Sequence, residues 1–316
     1  MKKIRIWVSP GIGDTVWVLT KISDMRKKLN INHVEMVIQS TEFNRADDFL
    51  MHFDFIDSTF YETFSIRPEP IYNIYGTDEE GQYIYYESTG NYRGDPNSWL
   101  LIANSHLEHG HRLETWYPEF KAEMDFAKHF NFREEEIKWA EAFCKDTLNS
   151  NPFIVFYMGT LNGNTINGHN RNGLWSLEDW FKVGSYLPSE YKIVIVGHQY
   201  DWQYANLFLE GLPNIQHYVN LCGKTTIGEC FALIKRSQFI LSYATGIGIF
   251  SAYLGHPSAM FLGLKGHSRS SEFFQSFEED LCHCWCPTEY INKTYFPLIY
   301  TKCSPETVSK IMDPFL

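Results

Sequence analysis

Three places in the chain carry residue types that chemistry would need. The first is Gly11-Ile12-Gly13-Asp14-Thr15. Its glycines allow a sharp turn, and a helix that follows presents backbone N–H groups and the positive end of its dipole. A carboxylate held there stays ionised and suits a general base. The bland alternative is that Asp14 merely caps the helix. The second is Ser242-Tyr243-Ala244-Thr245-Gly246-Ile247-Gly248, inside a stretch from Ser237 to Leu264 without Asp, Glu, Lys or Arg. Amides at the start of a helix there could hold a diphosphate, or the glycines could serve only close helix–strand packing. The third is Arg171 in the loop 162–173, either a phosphate-binding cation or an ordinary surface residue.

Other motifs fit less well. A dinucleotide fingerprint needs glycine where Val16 stands and an acidic residue where Gln39-Ser40 stand. Gly223-Lys224-Thr225-Thr226 lacks the upstream glycine of a P-loop. His106, His109 and His111, and Cys282, Cys284 and Cys286 around His283, lack the spacing of structural zinc sites. No Asp-x-Asp triplet is present to grip a nucleotide through Mg²⁺. No metal site and no cofactor are expected.

These segments need elements to position them. Lys3 to Ser9 reads as a buried strand and His33 to Ile38 as another. Between them lies a helix from about Asp14 whose apolar positions Val18, Leu19, Ile22, Met25 and Leu29 keep a spacing of three to four. This is the opening of a parallel sheet. Residues 40–125 show no sustained period and read as short strands and loops. Phe132 to Leu148 reads as a helix, and Asn149-Ser150-Asn151-Pro152 as an interdomain linker. Strands are expected at Phe153–Tyr157, Tyr191–Val196, Phe239–Ser242 and Ala259–Leu262, and helices after Ser176, from Trp202 to Leu209 and from Thr226 through Ile234. The charge-free stretch therefore reads as strand, glycine turn, short helix and strand, not as a membrane span.

Length and composition agree with this pattern. The 316 residues predict two domains. With 44% hydrophobic and 21% charged residues, disordered and collagen-like classes are excluded. Seven cysteines make no disulfide scaffold, and the N-terminus is not a signal peptide, so a cytoplasmic protein is expected. The net charge of −11 disfavours a broad nucleic-acid footprint without excluding a local basic pocket. The 9 Trp, 19 Tyr and 24 Phe supply many rings for core or for stacking, among them Tyr72, Tyr75, Tyr92, Trp99 and Trp116.

The ordered series of motifs resembles the heptosyltransferase-like glycosyltransferases of family 9. The resemblance runs through Gly11-Ile12-Gly13-Asp14, Phe153 to Gly159, Trp175 with Leu177, Asp179 and Trp180, and Ile193 to Gly197. It continues with Cys222-Gly223-Lys224-Thr225-Thr226-Ile227-Gly228-Glu229, Ala244-Thr245-Gly246 with Ser251-Ala252, and Leu254-Gly255-His256-Pro257. Phe261-Leu262-Gly263 and Cys303-Ser304-Pro305-Glu306-Thr307-Val308 complete it. It covers about residues 1–38 and 150–310. The chain departs from the family pattern at Ala244, where Asp is usual, at Ile249, where His is usual, and at Gly173, where Lys is usual; Arg171 is a possible substitute for that Lys.

The resemblance implies an α/β protein of GT-B fold, two Rossmann-like domains facing across a cleft. Residues 1–148 would form the acceptor domain and 152–302 the nucleotide-sugar domain, with 303–316 a C-terminal helix packing back on the first. It implies a metal-independent inverting glycosyltransferase, with a nucleotide-sugar donor and a hydroxyl acceptor such as a glycan. Asp14 would be the general base, and Gly13, Arg171, Gly197, Thr245, Gly246 and Gly248 would contact the donor. Two other readings stand beside it: transfer onto modified DNA bases, and a non-catalytic relic that binds sugar or nucleotide only.

Overall fold

The computed structural model describes residues 3–8, 11–39, 46–62, 83–85, 120–159, 177–211, 217–243, 245–262, 298–300 and 304–316. Contacts divide the chain into two compact units, residues 1–131 with 279–289 and residues 132–278 with 290–316.

The first unit is built on a parallel sheet in the order β3-β2-β1-β4. Its strands are β1 (Lys3–Val8), β2 (His33–Gln39), β3 (Ser58–Glu62) and β4 (Tyr83–Tyr85). Helix α1 (Ile12–Leu29) joins β1 to β2. Of its periodic apolar positions Val18, Leu19, Ile22 and Met25 are buried, and Leu29, at the end, is half-buried. Arg26, Lys27 and Lys28 complement the dipole in the last turn. Asn30 ends the helix in the left-handed conformation at φ 55°, and Ile31 N–H donates back to the Arg26 carbonyl. A short helix α2 (Ala46–Leu50) carries Phe49 into an aromatic core with Phe53, Phe126 and Phe130. The His52 ring stacks on Phe130 at 4.6 Å.

The second unit has a six-stranded parallel sheet in the order β10-β9-β8-β5-β6-β7. Its strands are β5 (Phe153–Tyr157), β6 (Lys192–Ile195), β7 (Tyr218–Asn220), β8 (Phe239–Tyr243), β9 (Ser258–Leu262) and β10 (Leu298–Tyr300). β5 is buried along its whole length, as a central parallel strand covered on both faces must be. The chain winds outward from β5 to β7, then returns to start again at β8, so the sheet reverses between β5 and β8. In doubly wound sheets the ligand crevice lies at the strand C-termini beside that reversal. The charge-free stretch folds as the alternation predicted: β8, helix α7 (Gly246–Tyr253) and β9. Among the described residues no helix is long and apolar enough to cross a membrane.

Two boundaries differ from the sequence reading. Helix α3 (Glu134–Asp146), expected to close the first domain at 148, belongs to the second unit, where it packs against α6 (Ile227–Ile234). The buried residues of α3 are Glu136 and Ala140, and a Cβ on Gly228 would lie 2.1 Å from the Glu136 carboxylate, so the helices approach where glycine leaves room. The supposed linker is a tight turn, with Asn149 and Ser150 at φ 52° and 57° and Leu148 fully buried. The C-terminal helix α8 (Pro305–Met312), expected to pack on the first domain, packs instead against α4 (Leu177–Ser185) of the second unit. Its Val308 and Met312 share a buried cluster with Trp180, Val183 and Phe239. The motif from Cys303 to Val308 announced this helix, but no residue in it marks which unit covers it.

Candidate active site

In the first unit, α1 begins at Ile12 with Gly11 as its N-cap. Gly11 has no side chain to cap with, and its carbonyl accepts from Thr15 N–H at 3.2 Å. Asp14 therefore stands third in the helix, inside the first turn, and is not the N-cap that the bland reading required. Gly13 is half-buried beside it. Thr15 is buried and donates its hydroxyl to the Ile12 carbonyl at 2.8 Å, tightening this turn.

In the second unit, the C-terminal ends of β5, β6 and β8 bring together residues far apart in sequence. Asp201 lies between the ends of β5 and β6, buried in the turn after β6, where its carboxylate accepts from His198 N–H at 2.8 Å. A Cβ on Gly159, just past β5, would fall 2.2 Å from that carboxylate, and one on Gly197, just past β6, would fall 2.8 Å from it. Gly197 thus makes space for Asp201 and Cys222. Gly223, at φ +70°, is a turn that only glycine adopts easily, and its missing Cβ would strike the Gln199 backbone at 2.7 Å. Gly223 N–H also donates to the Gly197 carbonyl at 2.9 Å. The turns after β6 and β7 are locked together by these contacts.

Thr245 is the N-cap of α7, in an extended conformation suited to capping, yet its hydroxyl makes no cap hydrogen bond. The other helices of this unit behave differently. Thr226 of α6 accepts from Glu229 N–H at 3.1 Å, and Ser304 of α8 accepts from Thr307 N–H at 3.3 Å. The hydroxyls of Thr245 and of the fully buried Ser242 have no hydrogen-bond partner among the described residues. A buried hydroxyl without a partner is costly, so two at one strand end suit a site that receives polar atoms. Gly246 opens α7 half-buried, and Gly248 is buried within it. Ile249, where the related motif has His, is buried in the core.

The thiols of this end are inert. Burial, and then the Asp201 charge, pushes the Cys222 pKa far up; burial pushes Cys230 up to about 12. Both stay protonated at neutral pH and cannot act as nucleophiles. Arg171, Gly173, Ala244, the His106–His111 and Cys282–Cys286 groups, and Tyr72, Tyr75, Tyr92, Trp99 and Trp116 lie outside the described residues. Among the described residues no three His, Cys, Asp or Glu are grouped to hold a metal ion. Sequence reasoning missed Asp201, and it gave Ser242, the first residue of the second motif, no role of its own. The available signal was an acidic residue four positions after the glycine that closes a strand.

Comparison with known families decides the class. A family model, glycosyltransferase family 9 (heptosyltransferase), matches residues 91–285. The chain belongs to glycosyltransferase family 9. It is therefore a glycosyltransferase that takes a nucleotide-sugar donor, and its two units are the Rossmann-like domains of the GT-B fold. Comparison with curated proteins finds no match. Among solved structures, it is similar to the E. coli ADP-heptose lipopolysaccharide heptosyltransferase II, at 12% identity over 100% of this chain and 98% of that one, with a TM-score of 0.60. A family 9 glycosyl transferase from Veillonella parvula is similar at 14% identity over 99% and 97%, with a TM-score of 0.60. The E. coli heptosyltransferase WaaC with ADP is similar at 12% identity over 99% and 100%, with a TM-score of 0.54. At these identities the likeness concerns the fold.

Proposed function

We propose that this family 9 glycosyltransferase is an inverting, metal-independent enzyme that uses Asp14 as its general base. The observation that carries the reading is the N-terminus of α7, where Thr245 leaves its own helix uncapped and Ser242 adds a second unpartnered hydroxyl. A diphosphate there would accept from the Thr245 hydroxyl and from backbone N–H groups of Gly246 to Gly248, with the helix dipole stabilising its charge. Arg171 supplies a further cation as the leaving group departs. In an in-line displacement at the anomeric carbon, the bond to the diphosphate breaks as the acceptor oxygen bonds, and Asp14 takes the acceptor proton. The first-turn position of Asp14 favours the ionised carboxylate that this step needs.

Metal independence rests on the absence of an Asp-x-Asp triplet from the sequence, since the leaving diphosphate then depends on the helix terminus and Arg171. Because similar structures include heptosyltransferases named with ADP and ADP-heptose, an ADP-sugar is the first donor to try. The acceptor is a hydroxyl compound of glycan type, and the reaction takes place in the cytoplasm.

The test is transfer from ADP-heptose and other nucleotide-sugars by wild type and Asp14→Asn, in buffer with and without EDTA. Asp14→Asn is expected to lower kcat by about 10²–10⁴, as loss of a general base does, with donor binding retained. EDTA is expected to leave wild-type turnover unchanged. Full turnover by Asp14→Asn would remove Asp14 from the mechanism, and loss of turnover in EDTA would remove metal independence.

A further inference from the structure

The turns after β6 and β7 border an open pocket of about 610 Å³ lined by Gln199, Tyr200, Trp202, Gln203, Cys222, Gly223 and Lys224. Its chemistry is distinctive. Trp202, the first residue of α5 (Trp202–Glu210), is 46% exposed although it is large and aromatic. Lys224 is exposed and forms no ion pair among the described residues. Gln199 and Gln203 bring two amides, each able to donate and accept. An open aromatic face with a cation and two amides suits a flat heterocycle that stacks and offers ring nitrogens and carbonyl oxygens at its edge.

Its position fits the same ligand. Adjacent strands stand about 4.8 Å apart, so β6 lies about 10 Å and β7 about 14 Å from β8 along the row of strand C-termini. That is the span an extended nucleoside diphosphate covers between its phosphates and its base. The pocket is also preorganised. Asp201 fixes the β6 turn, and Gly223 presses the β7 turn onto Gln199, so the residues that would read a base do not need to be ordered by it.

We propose that Trp202 and Lys224 choose the donor's nucleobase, Trp202 by stacking on it and Lys224 by donating to acceptors on its edge. This rests on the reading of α7 as the diphosphate site. Because Trp202 is exposed, replacing it leaves the core intact.

The experiment is calorimetric binding of ADP, UDP, GDP, CDP and inorganic pyrophosphate to the full chain. Wild type is expected to prefer one nucleoside diphosphate and to bind pyrophosphate weakly. Trp202→Ala should weaken that nucleotide by about fivefold to a hundredfold, the range for base–aromatic stacking, and leave pyrophosphate unchanged. Trp202→Phe should recover most of the loss and remove the part of the tryptophan fluorescence quenching that wild type shows. Lys224→Gln should flatten the preference among the four nucleotides. Nucleotide affinity unchanged in Trp202→Ala, or pyrophosphate affinity reduced in step with it, overturns the proposal. Gly246→Val separates the two readings. It should abolish binding of nucleotide and pyrophosphate alike, and if both still bind, the diphosphate site is wrong while the Trp202 result stands on its own. If no nucleoside diphosphate binds wild type, both readings fall together.

Discussion

His256 sits in the turn between α7 and β9, 7% exposed, with its Nε2 2.8 Å from the Ser237 hydroxyl. Ser237 donates to the Ile234 carbonyl at 2.8 Å, so the pair ties the end of α6 to the turn that leads into β9. Burial, with the Lys235 charge adding to it, pushes the His256 pKa down from its ordinary 6.5 to about 4. The sign follows from linkage. The folded state holds this imidazole neutral, whereas the unfolded chain protonates it below pH 6.5. Its contribution to stability is therefore complete above about pH 6.5, is lost as pH falls toward 4, and changes no further below that. Two and a half pKa units correspond to about 3 kcal/mol at most. Urea unfolding of wild type and His256→Gln between pH 7 and 4 should show the difference between them shrinking over that interval. A constant difference would mean that the histidine acts by shape alone. Its motif, Leu254-Gly255-His256-Pro257, was legible in the sequence, but the serine that it meets nineteen residues earlier was not.

Elements were legible where their periodicity was strong, and domain membership was not. Strands β1, β2, β5, β6, β8 and β9 and helices α1, α4, α5, α6 and α7 lie close to where the sequence put them, because each must hide one face. The short elements α2, β3 and β4 gave no signal above their Tyr- and Asn-rich surroundings. Helix α3 was expected in the first domain because Asn149-Ser150-Asn151-Pro152 after it reads as an interdomain linker. Among the contacts that assign it is Gly228 of α6 against the buried carboxylate of Glu136, and no local pattern announces that pair. The contact makes a prediction with a change of sign. Alanine in place of a helical glycine normally gains up to about 1 kcal/mol. Here its Cβ would meet the Glu136 carboxylate, which is also held by Arg133 N–H at 2.9 Å. Overpacking costs about 1–3 kcal/mol and should win, so Gly228→Ala is expected to lower the unfolding free energy. In a Glu136→Ala background the clash is gone and the same substitution should be neutral or stabilising. A destabilisation of equal size in both backgrounds would show that the two helices do not meet through this pair.

At the scale of the whole molecule, the charge of −11 and the chemistry at the strand ends point to different partners. Net charge governs long-range attraction and solubility, whereas a pocket binds through the few groups that line it. An acidic protein can thus hold a diphosphate at the N-terminus of α7, where N–H groups and hydroxyls do the work, without offering nucleic acid a basic face. The distinction bears on the acceptor, because transfer onto modified DNA bases remains the strongest competitor to transfer onto a glycan hydroxyl. A DNA acceptor gripped through several phosphates would release as many counterions, and its affinity would fall by about 10³–10⁵ between 50 and 200 mM salt for six to ten contacts. A neutral glycan releases almost none. Turnover measured against acceptor concentration across that salt range should therefore show KM for the acceptor changing by less than about threefold. The donor carries its own charge, so the measurement is made at saturating nucleotide-sugar, where a salt effect on donor binding no longer reaches the rate. A steep rise of acceptor KM under those conditions would place a local basic surface on the acceptor side and return the nucleic-acid reading to first place.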